Sequence, residues 1–169
     1  GLEGEVHDRD GFDCHSLARK RRVMVVCSTW GEGEQPDNAE DLWQFSISDS
    51  ASRMEGVHFA ILALGDSSYE FFCQSGKDWD GQFEKLGATR AIDRLDCDVD
   101  YDAPAAEWLM DALPTLAAVD STGHFHENMV DSIRMYASGD SLGAEGEDGF
   151  TMPKICLLYT SDAADEHTG

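Results

Sequence analysis

Two apolar, β-prone runs that each end in a glycine-bearing loop limit what this chain can fold into more than any other feature. The first, Val23-Met24-Val25-Val26-Cys27, leads into Ser28-Thr29-Trp30-Gly31-Glu32-Gly33-Glu34. The second, Phe59-Ala60-Ile61-Leu62-Ala63-Leu64, leads into Gly65-Asp66-Ser67-Ser68-Tyr69-Glu70-Phe71-Phe72-Cys73. Continuous runs of this kind suit strands buried on both faces, as in the parallel sheet of an α/β protein. Open α/β sheets bind ligands beyond the carboxyl ends of their strands, where both loops lie. Each loop carries one aromatic, Trp30 or Tyr69, and two aromatics facing each other across a gap clamp a flat ring. Two ordinary β–α turns are the alternative.

The rest of the chain supplies the partners such a sheet needs. Residues 3–7 read as a short strand, followed by a polar, irregular stretch to Arg22. Pro36-Asp37-Asn38 reads as a helix start, with Asp37 or Asn38 as cap and Glu40 and Asp41 in the first turn. Ala39, Leu42, Trp43 and Phe45 form that helix's apolar face. Residues 57–64 are the second strand. Phe72, Gly76, Trp79, Phe83 and Leu86 recur at helical spacing, and Gly87 ends the helix. Residues 91–95 predict a third strand. A final helix follows, with Pro104 in its first turn and Ala105, Trp108, Leu109, Ala112 and Leu113 as its stripe. Trp43, Trp79 and Trp108 read as packing residues.

Composition narrows the function. The chain has 169 residues and a formal charge of −22, from 34 acidic against 12 basic side chains. That surface repels nucleic acid and anionic membranes and steers toward a basic protein partner; adaptation to salt is the alternative. No run approaches the roughly 18 apolar residues of a membrane span. The 5 cysteines show no C-x-x-C spacing, which reads as reduced thiols in a cytoplasmic setting. His124 and His126 alternate in a loop-like stretch but form no recognisable metal-ligand set.

The two loops together, S-T-W-G-E-G-E-Q-P-D-N-A and A-L-G-D-S-S-Y-E-F-F-C-Q-S-G-K-D-W-D, resemble the flavodoxin-like FMN domain of diflavin reductases. Within that family they are most similar to the flavoprotein alpha-components of NADPH-dependent sulfite reductases. Arg94-Leu95-Asp96-Cys97-Asp98-Val99-Asp100-Tyr101 and Ala106-Glu107-Trp108 resemble the same family's last strand and helix. The resemblance runs from about Gly1 to Leu116.

The resemblance implies an α/β, doubly wound, flavodoxin-like sheet and an FMN cofactor. Ser28, Thr29, Trp30, Gly31, Glu32 and Gly33 would line one side of the flavin, with Trp30 stacked on the ring. Leu64, Gly65, Asp66, Ser67, Ser68, Tyr69, Glu70, Phe71, Phe72 and Cys73 would wrap the other, with Tyr69 stacked there. Asp98 would touch the ribityl chain or ring edge. Gly31 would leave a peptide near flavin N5 free to reorient, and Glu32, Glu34 and Asp66 would disfavour an anionic reduced flavin. The flavin carries such chemistry, so no catalytic acid, base, nucleophile or metal is implied.

The implied parent is an NADPH-dependent oxidoreductase passing electrons from FAD to FMN to a haem-containing partner. FAD and NADPH would bind a downstream region outside this chain. A stand-alone flavodoxin-type shuttle, another diflavin reductase and a non-functional gene fragment are the alternatives. The family's strand order is 2-1-3-4-5, and its first strand leads into the loop that cradles the FMN phosphate. This sequence reads as starting at the second strand, lacking the first strand and helix; a gap between residues 4–7 and 23–27, or their direct pairing, is expected.

Three regions are therefore expected: residues 1–117 as a partial FMN-binding domain, 118–155 as an acidic flexible linker, and 156–169 as a separate tail. Cys156-Leu157-Leu158-Tyr159-Thr160-Ser161-Asp162-Ala163-Ala164-Asp165-Glu166 resembles the conceptual translation of a transposase-based sequencing adapter. On that reading the tail is non-biological and has no place in the fold.

Overall fold

Strands β2 (Arg22–Ser28) and β3 (His58–Leu64) form the centre of the sheet in the computed structural model, which describes residues 4–7, 12–138 and 155–160. They run parallel, in register from Arg22↔His58 to Ser28↔Leu64, so both end at one sheet edge. Their side chains alternate between two cores. Val23, Val25, Cys27, Phe59 and Ile61 pack with Leu42 of α1 (Asp37–Ile47) and with Trp79 and Phe83 of α2 (Gln74–Lys85). Met24 and Ala60 pack with Ala112 and Leu116 of α3 (Asp102–Ala117) on the opposite face. Apolar side chains on both faces are what an uninterrupted apolar strand requires.

Local details depart from the sequence reading where a stronger interaction competes. Pro36, not Asp37 or Asn38, caps α1; its φ of −56° is pre-set for the chain entry, and no side-chain cap bond forms. Asp37 and Glu40 still lie in the first turn, where the positive end of the helix favours them. The third strand is not 91–95 but two short pieces beside β3, β4 (Thr89–Arg90) and β5 (Leu95–Cys97). Between them the backbone bends, and the Asp93 carbonyl accepts the Trp108 indole N–H at 2.9 Å. Arg90 forks onto the Asp80 carboxylate at 2.8 and 3.1 Å, and Arg94 reaches Asp80 at 2.8 Å and Asp96 at 2.6 Å, tying this edge to α2.

The expected defect between β1 (Gly4–His7) and β2 is filled. β6 (Ile155–Thr160) lies between them, parallel to both, giving a sheet of 6 strands in the order β1-β6-β2-β3-β4, with β5 also beside β3. Part of the stretch read as a tail outside the fold is thus a sheet strand. The reason is chemical: Ile155, Cys156 and Leu158 bury themselves where β1 and β2 would otherwise leave backbone groups unpaired.

Residues 118–138, expected to lack intrinsic structure, are ordered by turn chemistry. The Asp120 carboxylate accepts from the Thr122 and His124 N–H groups at 2.8 and 3.1 Å, and from the Thr122 hydroxyl. Val119 and Phe125 then form a bridge. Helix α4 (Val130–Ser138) follows, burying Ile133 against Ala117 and Ala118, while Arg134 pairs with Asp111 at 2.8 Å. Within the irregular stretch expected before Arg22, residues Cys14–Arg19 form a 3-10 helix. Glu3, residues 139–154 and residues 161–169 lie outside the described residues. No helix among the described residues is long and apolar enough to cross a membrane.

Candidate functional site

Both loops leave the same sheet edge, because the β2–β3 register ends on Ser28↔Leu64. The first loop turns back on itself at once. Trp30 N–H donates to the Glu34 carbonyl at 3.0 Å, and the Trp30 carbonyl accepts from Gly33 and Glu34 at 2.9 and 2.8 Å. Two left-handed positions make this turn possible, Gly31 at φ 47° and Gly33 at φ 101°. Gly33 also lets the loops meet: a Cβ there would lie 3.1 Å from Phe71 Cβ and Gln74 Cγ. The Thr29 hydroxyl accepts the Ser75 N–H at 3.2 Å, joining this loop to the start of α2.

The second loop is held from below. Gly65 N–H donates to the Cys97 carbonyl at 2.9 Å, continuing the pairing of β3 with β5. Asp66 accepts from the Ser68 N–H at 2.9 Å and its hydroxyl at 2.5 Å. Asp98 accepts the Ser67 N–H at 3.0 Å and the Val99 N–H at 2.8 Å, and also the Ser67 hydroxyl. Those bonds, the Ser67 hydroxyl first, hold the Asp98 carboxyl below the usual carboxylate range. Cys73 ends the loop in a left-handed conformation, φ 56°, immediately before α2. Burial pushes its thiol up to about 12, and that of Cys27 likewise, so both stay protonated and unreactive at neutral pH.

The loops enclose a cleft of about 860 Å³. Of the residues expected at the site, Ser28, Thr29, Trp30, Gly31, Leu64, Gly65, Asp66, Tyr69, Phe71, Phe72 and Cys73 line it. Glu32, Gly33, Ser67, Ser68, Glu70 and Asp98 do not; Gly33, Ser67 and Asp98 instead set the loop shapes. The Asp98 carboxylate is engaged by Ser67 and the Val99 backbone. Tyr69 is 66% exposed and Phe71 41%, so two aromatic side chains stand open to the cleft rather than buried in the core.

Sequence reasoning missed five lining residues: Val26, Leu62, Val99, Tyr101 and Ala105. Val26 and Leu62 form the floor. Val99 and Tyr101 lie just beyond the carboxyl end of β5, so the rule that led to the first two loops marks this third one as well. No lysine or arginine lines the cleft among the described residues, and no cluster of metal-ligating side chains exists among them.

A parallel α/β sheet with an aromatic-walled cleft at the carboxyl edge defines a flavodoxin-type ligand-binding domain. The sequence profile of the Flavodoxin family matches residues 1–109, and the chain belongs to that family. It is similar to the sulfite reductase (NADPH) flavoprotein alpha-component of Vibrio parahaemolyticus, 47% identical over 124 residues, covering 73% of this chain and 20% of that protein. The protein of that description from Bacillus subtilis is 47% identical over 116 residues, 69% of this chain and 19% of its own length. The chain thus spans about one fifth of the length of these curated relatives.

Solved structures agree on the fold. A cysteine-substituted flavodoxin from Pseudomonas aeruginosa matches with TM-score 0.51 and 31% identity, over 57% of this chain and 67% of that one. A flavodoxin from Streptococcus pneumoniae TIGR4 matches with TM-score 0.55 and 17% identity, over 83% and 81%, a likeness of fold alone.

Proposed function

We propose that this chain is the FMN-binding, electron-transferring domain of an NADPH-dependent diflavin reductase of the sulfite reductase flavoprotein kind. One observation carries the reading: Trp30 and Tyr69, from separate loops, line the same cleft. Residues present fit the ring portion of FMN. Aromatic walls, the apolar floor of Val26 and Leu62, and glycine backbone at 31 and 65 suit a flat heterocycle approached closely by peptide groups. When bound, FMN supplies one-electron transfer chemistry.

The chain's own part is to hold and orient. Trp30 and Tyr69 would stack on the two ring faces, and Phe71, Val99 and Tyr101 would shed water from the ring's surroundings. The peptides of Gly31 and Gly65 would face the ring edge, while Asp66 would disfavour added negative charge there. Electrons would come from an FAD- and NADPH-binding region in cis and pass to a haem-containing partner with a basic docking face, drawn by the −22 charge of the chain. Five free cysteines support a reducing, cytoplasmic setting.

The test mixes the FMN-loaded chain with the NADPH-reduced FAD domain of a sulfite reductase flavoprotein and follows flavin absorbance. Reduction of bound FMN in the mixture, absent without the FAD domain, is the expected result. Bound FMN that the reduced FAD domain cannot reduce would contradict the proposal.

A further inference from the structure

Lys77, near the amino end of α2, holds two consecutive carbonyls at the close of the second loop. Its ammonium donates to the Phe72 carbonyl at 2.7 Å, and its backbone N–H donates to the Cys73 carbonyl at 3.1 Å. The ammonium also stands 5.8 Å from the centroid of the Phe72 ring, within cation–π range. Between those two carbonyls lies Cys73, the one left-handed residue other than glycine among the described residues. That conformation is strained for a residue with a Cβ and persists where its surroundings hold it.

Phe72 and Cys73 both line the aromatic cleft, whereas Lys77 does not. The Phe72 ring lies directly on Gly65: a Cβ there would stand 3.1 Å from Phe72 Cδ2. Lys77 is therefore a cation placed behind the cleft wall, with one side chain between. Its field reaches that wall, since the Cys73 thiol is pushed up by burial first and Asp96 next, and drawn down by Lys77. Arg90 and Arg94 are neutralised, both by Asp80 and Arg94 also by Asp96. Among the described residues no carboxylate pairs with Lys77. Helix stability does not account for the charge. A cation at this end opposes the helix dipole, and α1 and α3 carry Asp37, Glu40 and Asp102 in their first turns instead.

We propose that Lys77 is a positioning residue of the flavin site: it fixes Phe72 and Cys73 in the wall and offsets negative charge added to the bound ring. The inference rests on the FMN reading above. Two electrons taken up with one proton leave the flavin ring with one negative charge. Asp66, in the cleft, opposes that charge, and the unpaired ammonium of Lys77 favours it. Lys77 thus raises the potential of the second electron. The first electron, taken up together with the proton, adds no net charge and is little affected.

The experiment loads the full chain with FMN and compares wild type with Lys77→Met, Lys77→Gln and Lys77→Arg. Titration with dithionite against reference dyes gives both one-electron potentials, and fluorescence quenching gives the affinity for oxidised FMN. Lys77→Met and Lys77→Gln should lower the second potential and leave the first unmoved. Equivalently, reduced FMN should bind severalfold more weakly relative to oxidised FMN. Lys77→Gln, which keeps a donor, serves alone where Lys77→Met does not fold. Lys77→Arg keeps the charge and a donor for the Phe72 carbonyl, and should restore the wild-type potential.

A role in packing alone would weaken oxidised and reduced FMN alike and leave both potentials unchanged; that result overturns the proposal. Lys77→Arg behaving as Lys77→Gln overturns it too. A wild-type chain that binds no FMN overturns the FMN reading and this inference with it. Wild-type potentials in charge-free variants that hold FMN overturn this inference alone.

Discussion

Gly76 of α2 lies directly against Ala63 of β3: a Cβ at 76 would overlap that of Ala63 and come within 3.2 Å of its Cα. This contact sets how closely α2, and the loop that leads into it, approach the strand. Gly76→Ala gains helix propensity of about 0.5–1 kcal/mol but overpacks a rigid contact at about 1–3 kcal/mol. The overpacking wins. Gly81, on the same helix, has open space where a Cβ would stand, with nothing within 4 Å, so Gly81→Ala keeps only the gain. Denaturant midpoints should fall for Gly76→Ala and rise for Gly81→Ala; changes of the same sign would refute this packing.

Trp79 and Trp108 should differ in their cost. Trp79 is 1% exposed, its ring edge-on to Trp43 and its indole N–H 2.8 Å from the Gln35 side-chain oxygen. Trp108 is half-buried at the margin of two clusters. Trp79→Ala should lose about 3–5 kcal/mol and Trp108→Ala clearly less, by chemical denaturation. An equal loss would mean the α3 face of the sheet is packed as tightly as the α1 and α2 face.

The Asp98 tie to Ser67 and Val99 carries a pH signature. Its folded pKa lies below the ordinary value of about 3.9, so its contribution is complete above that pH and fades as pH falls through the lower folded value. The amide shifts of Ser67 and Val99 should therefore stay constant to below about pH 4 and move together in stronger acid. Asp98→Asn should abolish that movement. A transition at the ordinary carboxylate value would show the tie absent in solution.

Phosphate should add little to flavin affinity in this chain. The cleft has aromatic and apolar walls but no lysine or arginine among its described lining residues. Riboflavin and FMN should bind within about threefold of each other, whereas charge-assisted phosphate hydrogen bonds at roughly 1.5–3 kcal/mol each would separate them widely. A thousandfold preference for FMN would reveal a phosphate site formed by other residues of the chain.

Legibility follows the strength of the local signal. β2 and β3 are readable because both faces are buried and nothing polar interrupts them; Trp30 and Tyr69 follow from where such strands end. The third strand is misplaced by sequence reasoning because the apolar pair Ala91-Ile92 falls between the two short strands, where the backbone bends and Arg90 and Arg94 on either side both pair with Asp80. Tyr101 is missed for the same reason, since the end of β5 is set too early. Residues 118–138 read as polar linker because composition hides one well-bonded carboxylate, Asp120, and a short helix with a single buried anchor, Ile133. The position of β6 is beyond any local reading. Its apolar character is plain in Ile155-Cys156-Leu157-Leu158, but what draws it between β1 and β2 is unpaired backbone on residues more than a hundred positions earlier.

The most direct test of the aromatic clamp is a titration of FMN against wild type, Trp30→Ala and Tyr69→Ala, read by quenching of flavin fluorescence. Met110→Ala serves as control, being exposed on α3 and absent from the cleft. Stacking contributes about 0.5–1.5 kcal/mol beyond burial, so each clamp variant should bind at least about threefold more weakly. Both should unfold at the wild-type temperature, and Met110→Ala should bind as wild type. Wild-type affinity in both Trp30→Ala and Tyr69→Ala would contradict the account.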